Sequence, residues 1–256
     1  MNMLELILNR KSVRSFDGRK LDETDLRRLQ AYVAGIHNPY NIPVRFVWLD
    51  AEANGLASPV IRGERLYVAG KVPRVRHCEE AFGYSFEKLV LYARRLGIGT
   101  TWIGGTMDRA LFEKAACTGE DEYMMIVSPL GYPAQARTDV ERRLRESVHA
   151  DERLPASELF FDRDFSQPLT EESSLLEAVR WAPSAANQQP CRVVKEANHY
   201  HFYVKHSLPP ARWDVQKIDV GIAICNLMSV EGGRFSLSDP GIAHGEELEY
   251  IATVRI

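Results

Sequence analysis

Residues 181–192 read WAPSAANQQPCR. The run carries no charge before Arg192. Pro183 and Pro190 bracket small side chains and three consecutive carboxamides, Asn187, Gln188 and Gln189. A solvated loop usually carries charge, so this one reads as shaped to lie against something flat with a polar edge. Working outward, Leu176 precedes Pro190 by 14 residues, and the same interval separates Leu29 from Pro43. PVRFV (43–47) then matches PCRVV (190–194), which pairs Arg45 with Arg192. Farther on, Gly83 and Leu89 are six apart, as are Gly221 and Leu227. Matches in the same order at nearly the same spacing predict an internal duplication, each half running strand, strand, long helix.

Local patterns supply the elements. Met3 to Asn9 suits a short helix. Asp22 is a candidate N-cap for a helix from Glu23 to about Gly35, with Leu26, Leu29 and Val33 on one face. VRFVWLD (44–50) and RLYVAG (65–70) read as strands. A long helix from Arg76 to Leu96 carries Phe82, Phe86, Leu89, Ala93 and Leu96 at spacings of three and four, and Gly97 and Gly99 end it. Asp108 caps a short helix to Ala116, and YMMIVSPLG (123–131) is a buried strand. Residues 134–158 are highly charged and helical in part; Arg142, Arg143 and Arg145 read as a solvated face. Thr170 and Ser173 are both candidate caps for a helix to Ala182. RVVK and YHFYVK form two strands joined by a turn at Asn198. Asp214 opens a helix to Val230, and LEYIATVRI (248–256) is a terminal strand.

Composition narrows the function. The chain has 256 residues, with 45% hydrophobic and 26% charged side chains, as in globular proteins. A net charge of −3 gives no basic footprint for nucleic acid. Nothing reaches the roughly 20 apolar residues of a membrane span, and the N-terminal apolar run is too short for a signal peptide. Cys78, Cys117, Cys191 and Cys225 are scattered, which suits a reducing, cytoplasmic setting and excludes a CxxC zinc or redox motif. The histidines show no metal-ligand spacing, so no metal is expected. GIGTTW (97–102) fails the dinucleotide fingerprint because Trp102 stands where the third glycine belongs. Tyr40 and Trp102 are read as core or pocket wall.

Four stretches carry a family resemblance. NRKSVRSF (9–16) resembles the opening Arg-(Arg/Lys)-Ser-x-Arg-x-Phe of the nitroreductase family of flavin enzymes. APSAANQQP (182–190) resembles that family's Ala-Pro-Ser-x-x-Asn-x-Gln-Pro loop. LGIGTTWIGG (96–105) resembles its Gly-Leu-Gly-Thr-x-Trp-Ile-Gly segment, and LGYPA (130–134) its strand end. In the ordinary family the first two motifs lie close together in one chain, two chains dimerise, and each FMN sits at their interface. Here the Arg-Ser motif falls in the first half and the loop in the second. The reciprocal positions hold AGIHNPYNIP (34–43) and ELFFDRDFSQP (158–168). The resemblance therefore implies a fused pseudo-dimer keeping one of two FMN sites, similar to the single-chain branch of the family. The expected fold is α+β and internally duplicated, with two antiparallel sheets around long central helices. The expected halves are 1–158 and 159–256, with the terminal strand crossing to the sheet of the first half.

The resemblance also implies roles. Arg10, Lys11, Ser12 and Arg14 would take the FMN phosphate, and Arg14 is a candidate for the ring's N1/C2 edge, where a cation stabilises reduced flavin. Arg153 resembles a late family Arg that reaches the phosphate. Ile103, Gly104 and Gly105 would bring bare backbone to the ring, with the Gly104 region near N5. Pro183, Ser184, Ala185 and Asn187 would serve the ring from the other half. No side chain is expected to be an indispensable acid or base. The implied activity is FMN-dependent transfer of hydride from NAD(P)H to a small nitro- or quinone-type acceptor, by a monomer. The alternative is an FMN-sequestering protein whose lid is the poorly patterned run EGGRFSLSDPGIAHGEE (231–247); a vestigial, flavin-free site is the third reading. Cys191 stands where the family usually has Trp and is not expected to be a nucleophile.

Overall fold

A computed structural model describes all residues except Glu172 and Pro210. The first helix, α1 (Met3–Leu8), buries Leu6 and Ile7. It opens on a reciprocal cap: the Asn2 side chain accepts from the Glu5 amide at 2.8 Å, and Glu5 accepts from the Asn2 amide at 2.9 Å. The remaining elements follow in chain order: α2 (Glu23–Ala34), β1 (Arg45–Asp50), β2 (Leu66–Pro73), α3 (Cys78–Arg95), α4 (Arg109–Ala115), β3 (Glu122–Leu130), α5 (Asp139–Ser147), α6 (Ala156–Leu159), β4 (Phe160–Asp162), α7 (Ser174–Arg180), β5 (Cys191–Glu196), β6 (His199–Lys205), α8 (Val215–Glu231), β7 (Arg234–Ser236) and β8 (Leu248–Arg255).

The chain forms two compact units. One comprises 9–78 and 88–150, the other 1–8, 79–87 and 151–256. The expected halves changed over at 158; the units change over at Ala150 and also exchange two short stretches.

In the first of these units, β1-β2-β3 make an antiparallel sheet, with Arg45 opposite Lys71 and Leu66 opposite Leu130. Its core gathers Phe16, Leu49, Ile61, Tyr67, Phe112 and Val127. Tyr67 and Phe112 meet edge to face at 5.0 Å. Asp108 caps α4 as its position predicts, accepting from Leu111 N–H at 3.1 Å. Asp22 stands at the N-cap of α2 but makes no side-chain cap bond. The Tyr132 hydroxyl instead ties this helix start together, accepting from Asp22 N–H at 3.3 Å and donating to Asp25 at 2.8 Å.

The other unit has a five-stranded sheet in the order β4-β5-β6-β8-β7. Two expectations fail here. The terminal strand β8 does not join the sheet of the first half; it lies between β6 and β7, with His199 opposite Arg255 and Arg234 opposite the same residue. β6 and β7 fill its two edges, and both belong to the same unit as β8. The sheet is also not wholly antiparallel, because β4 runs parallel to β5, Phe160 opposite Val193. The connection from β4 passes through α7, and a helical crossover returns the chain in the same direction. Of the two candidate caps for α7, Ser173 makes the bond, to Leu176 N–H at 3.4 Å. Asp214 caps α8, accepting from Gln216 N–H at 2.9 Å.

The predicted stripe on α3 is real: Phe82, Phe86, Leu89 and Ala93 are fully buried. Gly97 follows the helix with φ +77°, the left-handed turn that a helix end favours in glycine. α8 is buried almost all round from Gln216 to Leu227. Within this unit the two long helices touch backbone to backbone. A Cβ on Gly83 would lie 2.1 Å from the Ile218 oxygen, and one on Gly221 would lie 2.2 Å from the Glu80 oxygen. Each glycine faces the residue three positions before the other.

Candidate functional site

The loop that opened the sequence is strained and tightly tied. Ser184 leads into a single 3-10 turn, Ala185–Asn187. Ala186, Asn187 and Gln189 have φ of +48°, +56° and +50°. None is glycine, and each left-handed residue costs roughly 1–3 kcal/mol unless its surroundings enforce it. The surroundings do so. Both carboxylate oxygens of Asp219 on α8 accept from Ala185 N–H, at 3.0 and 3.2 Å. Ser184 Oγ accepts from Gln189 N–H at 2.8 Å. Asn187 donates to Glu152 O at 3.2 Å and accepts from Arg153 at 3.3 Å. Gln189 Oε1 accepts from Leu154 N–H at 2.9 Å.

The structure thus brings Pro183, Ser184, Ala185, Asn187 and Arg153 together in one unit. It also shows what the carboxamides do: Asn187 and Gln189 fasten the loop to residues 152–154. Arg153 lies over the Trp181 ring at 4.6 Å. Behind the loop a small cleft of about 20 Å³ is lined by Phe160, Val179, Pro183, Ser184, Cys191 and Asp219. Burial pushes the Cys191 thiol up to about 12, which keeps it in the thiol form at neutral pH. Burial likewise holds the Asp219 carboxyl well above the usual carboxylate range.

The Arg-Ser motif belongs to the other unit. Ser12 bridges to Thr100, and Val13 N–H donates to Thr100 O at 2.9 Å. A Cβ on Gly99 would meet Val13 at 2.8 Å, so the glycine segment and the motif lie side by side. Ile103 exchanges backbone bonds with Val127 at 2.9 and 3.0 Å. A Cβ on Gly104 would lie 2.8 Å from the end of the Ile126 side chain, which can give way, whereas Gly105 faces open space. Arg109 pins this segment, donating to the carbonyls of Gly104, Met124 and Met125 at 2.5, 2.7 and 3.1 Å.

The motif's charges are partly sunk into protein. Arg10 is buried. Burial lowers the Arg14 pKa, Glu141 raises it, and the like charges of Arg145 and Arg10 lower it again. Those four groups therefore share one electrostatic neighbourhood. Glu141 is 1% exposed and accepts from Ser15 Oγ at 2.7 Å and Arg14 N–H at 3.2 Å. Thr138 N–H adds a bond to Ser15 Oγ at 2.9 Å. Arg142 and Arg143 are exposed as expected, but Arg145 is buried, so the reading of all three as a solvated face is corrected. The available signal was the four-residue spacing of Glu141 and Arg145, which puts both on one face of α5. Lys11 is exposed, and Tyr40 and Trp102 are half-buried. Among the described residues, no group of three or more His, Cys, Asp or Glu could hold a metal ion, and no helix is long and apolar enough to cross a membrane.

A mixed helix-and-sheet chain with two sheets, a strained prolyl-bracketed loop in one unit and buried arginines beside a glycine segment in the other, has a nitroreductase-like fold. The chain belongs to the family described as "Putative TM nitroreductase", which it matches over residues 2–230, and its chemistry is that of an oxidoreductase. Its fold is similar to that of a "putative nitroreductase" from Thermotoga maritima, with TM-score 0.62 and 18% identity over 100% of this chain and 94% of that one. A nitroreductase family protein from Clostridium difficile 630 is similar at TM-score 0.49 and 17% identity, over 62% of this chain and 96% of that one. No curated protein matches the chain.

Proposed function

We propose that the protein is an FMN-dependent NAD(P)H oxidoreductase that takes one FMN per chain and passes hydride to a small nitro- or quinone-type acceptor. The observation that carries this reading is the cluster of Arg10, Arg14 and Arg145, whose like charges act on Arg14 together with that of Glu141. Glu141 is itself paired with Arg137 at 3.6 Å, and a neighbourhood so rich in guanidinium suits a dianionic phosphate, each charge-assisted bond to it contributing roughly 1.5–3 kcal/mol. Bound FMN would supply reversible two-electron chemistry. The chain's part is position and electrostatics. Arg10, Lys11, Ser12 and Arg14 hold the phosphate end, and Arg14 also biases the ring towards its anionic reduced form. Ile103, Gly104 and Gly105 offer backbone, with Gly105 unobstructed. Pro183, Ser184, Ala185 and Asn187 form the second wall. Arg153 keeps that wall in shape through Asn187 and Trp181 and adds charge towards the phosphate.

The fused pseudo-dimer is part of the proposal, supported by the reciprocal crossing of Gly83 and Gly221. The sequestering alternative needs 231–247 as a lid. That run contains β7, paired to β8, and the Tyr250 hydroxyl donates to Ser238 O at 2.8 Å. Its His244 ring packs edge-on against Tyr203 at 5.3 Å. At β7, Ser238 and His244 the run is tied to its own sheet, which favours the turnover reading. The test is anaerobic addition of NADH or NADPH to the FMN-loaded protein. Prompt loss of the flavin's visible absorbance, restored by a nitroaromatic or quinone, is expected. A yellow protein that stays yellow would overturn turnover, and failure to take up FMN would overturn the whole reading.

A further inference from the structure

Asp219 matches none of the four family stretches, yet it is the buried group that the proposed function leaves unused. It lies on α8 among Ile218, Val220 and Ile222, each no more than 1% exposed, and is itself 5% exposed. It is not the cap of its helix, because Asp214 fills that role. Its two oxygens receive Ala185 N–H, and no cation contributes to its electrostatic surroundings. An acid in an apolar helix face is costly to bury, and a single backbone amide does not offset that on stability grounds alone. The amide it holds is a telling one. Ala185 begins the turn whose next two residues are left-handed and non-glycine. Ser184, on the other side of that amide, closes the loop on Gln189.

We propose that Asp219 is the positioning residue of the Pro183–Asn187 loop: by fixing Ala185 N–H from behind, it holds the strained turn in the one shape that fits the flavin. The inference rests on the FMN reading for its purpose, but not for its geometry. It has a corollary. Ala185 N–H already has an acceptor, so Ala185 meets the flavin through its other atoms, and the loop contributes as a shaped wall.

Two variants and two readouts test this. In the protein without FMN, hydrogen exchange of the Ala185 amide should be as slow as in the body of α8. Asp219→Ala should speed it at least about tenfold, the loss of one hydrogen bond to a carboxyl group. FMN affinity, read by flavin fluorescence, should fall by about tenfold or more, and the resolved shoulder of the bound flavin spectrum should blur. Asp219→Asn, which keeps an acceptor oxygen, should restore all three. A folded Asp219→Ala protein with wild-type FMN affinity and spectrum would overturn the proposal. Should that variant not fold, rapid exchange of Ala185 in the wild-type protein would overturn it equally. Wild-type protein that binds no FMN sinks the functional reading instead, while the Ala185 exchange still decides the anchor.

Discussion

Arg14 is a cation held partly out of water beside two others, with Glu141 as counterweight. A phosphate placed there would relieve the repulsion, so removing either guanidinium should be felt in binding. Arg14→Ala should weaken FMN by roughly 1.5–3 kcal/mol, and Arg145→Ala should act in the same direction. Arg142→Ala, which removes an exposed cation paired with exposed Asp139, should change it little. Fluorescence titration of the three variants separates the cluster from the helix face, and equal affinities throughout would remove the cluster from the site. Asp219 gives a prediction in pH. Burial raises its folded-state pKa, so above the ordinary value of 3.8 the folded state binds more protons than the unfolded chain. Stability therefore falls as pH rises through that window, by up to about 1.4 kcal/mol per pH unit. Asp219→Asn should abolish this fall, and its thermal midpoint should overtake that of the wild type increasingly as pH rises above 3.8 through that window. Parallel curves would refute the sign. At this scale the motif residues were legible because charge and hydroxyl density within five positions is itself a signal. Asp219 and Glu141 were not, since each acts on a segment far away in sequence, and Arg109 was not, since a lone arginine that holds carbonyls leaves no pattern.

Among the elements, the α3–α8 crossing is the sharpest case. The atoms facing Gly83 and Gly221 are backbone oxygens, which cannot swing aside as a side chain can. Either Gly→Ala change must push the helices apart, for which overpacking data suggest 1–3 kcal/mol or more. Gly105→Ala meets nothing within 4 Å and should leave stability within about 0.5 kcal/mol, while hindering flavin approach. Urea unfolding of the three variants gives the comparison; equal losses at all three would contradict the close crossing. The sequence marked both glycines through their shared spacing to Leu89 and Leu227, and it marked the caps at Asp108, Ser173 and Asp214, because these are local devices. It missed the partners of β8 and the direction of β4. Strand pairing depends on which distant edge is free, and the alternation of a single strand does not encode that.

For the whole molecule, the proposed duplication carries a stoichiometric consequence. Under it, the two halves would have diverged where a second flavin would need them. The AGIHNPYNIP run does not form the strained prolyl loop. Asn38 closes it locally, accepting from Tyr40 N–H at 3.1 Å and donating to Ile42 O at 2.6 Å. The matched arginines have parted as well: Arg45 is exposed and pairs with Glu122, while Arg192 is buried and donates to Gln189 O at 2.8 Å, bracing the loop. The order of the motifs along the chain was enough to suggest one surviving site, and NPYNIP marked a break after the helix, but which bonds of Asn38 close that turn was not readable. If the fused chain serves as its own partner, FMN titration should saturate at one per chain, and sedimentation of the loaded protein should give a monomer. Saturation at two would mean that the Asn38 turn still serves a flavin, and the proposed asymmetry would fall. A one-to-one ratio found only in a dimer would move the second wall of the site to another molecule, and the strained loop of this chain would then serve its neighbour's flavin.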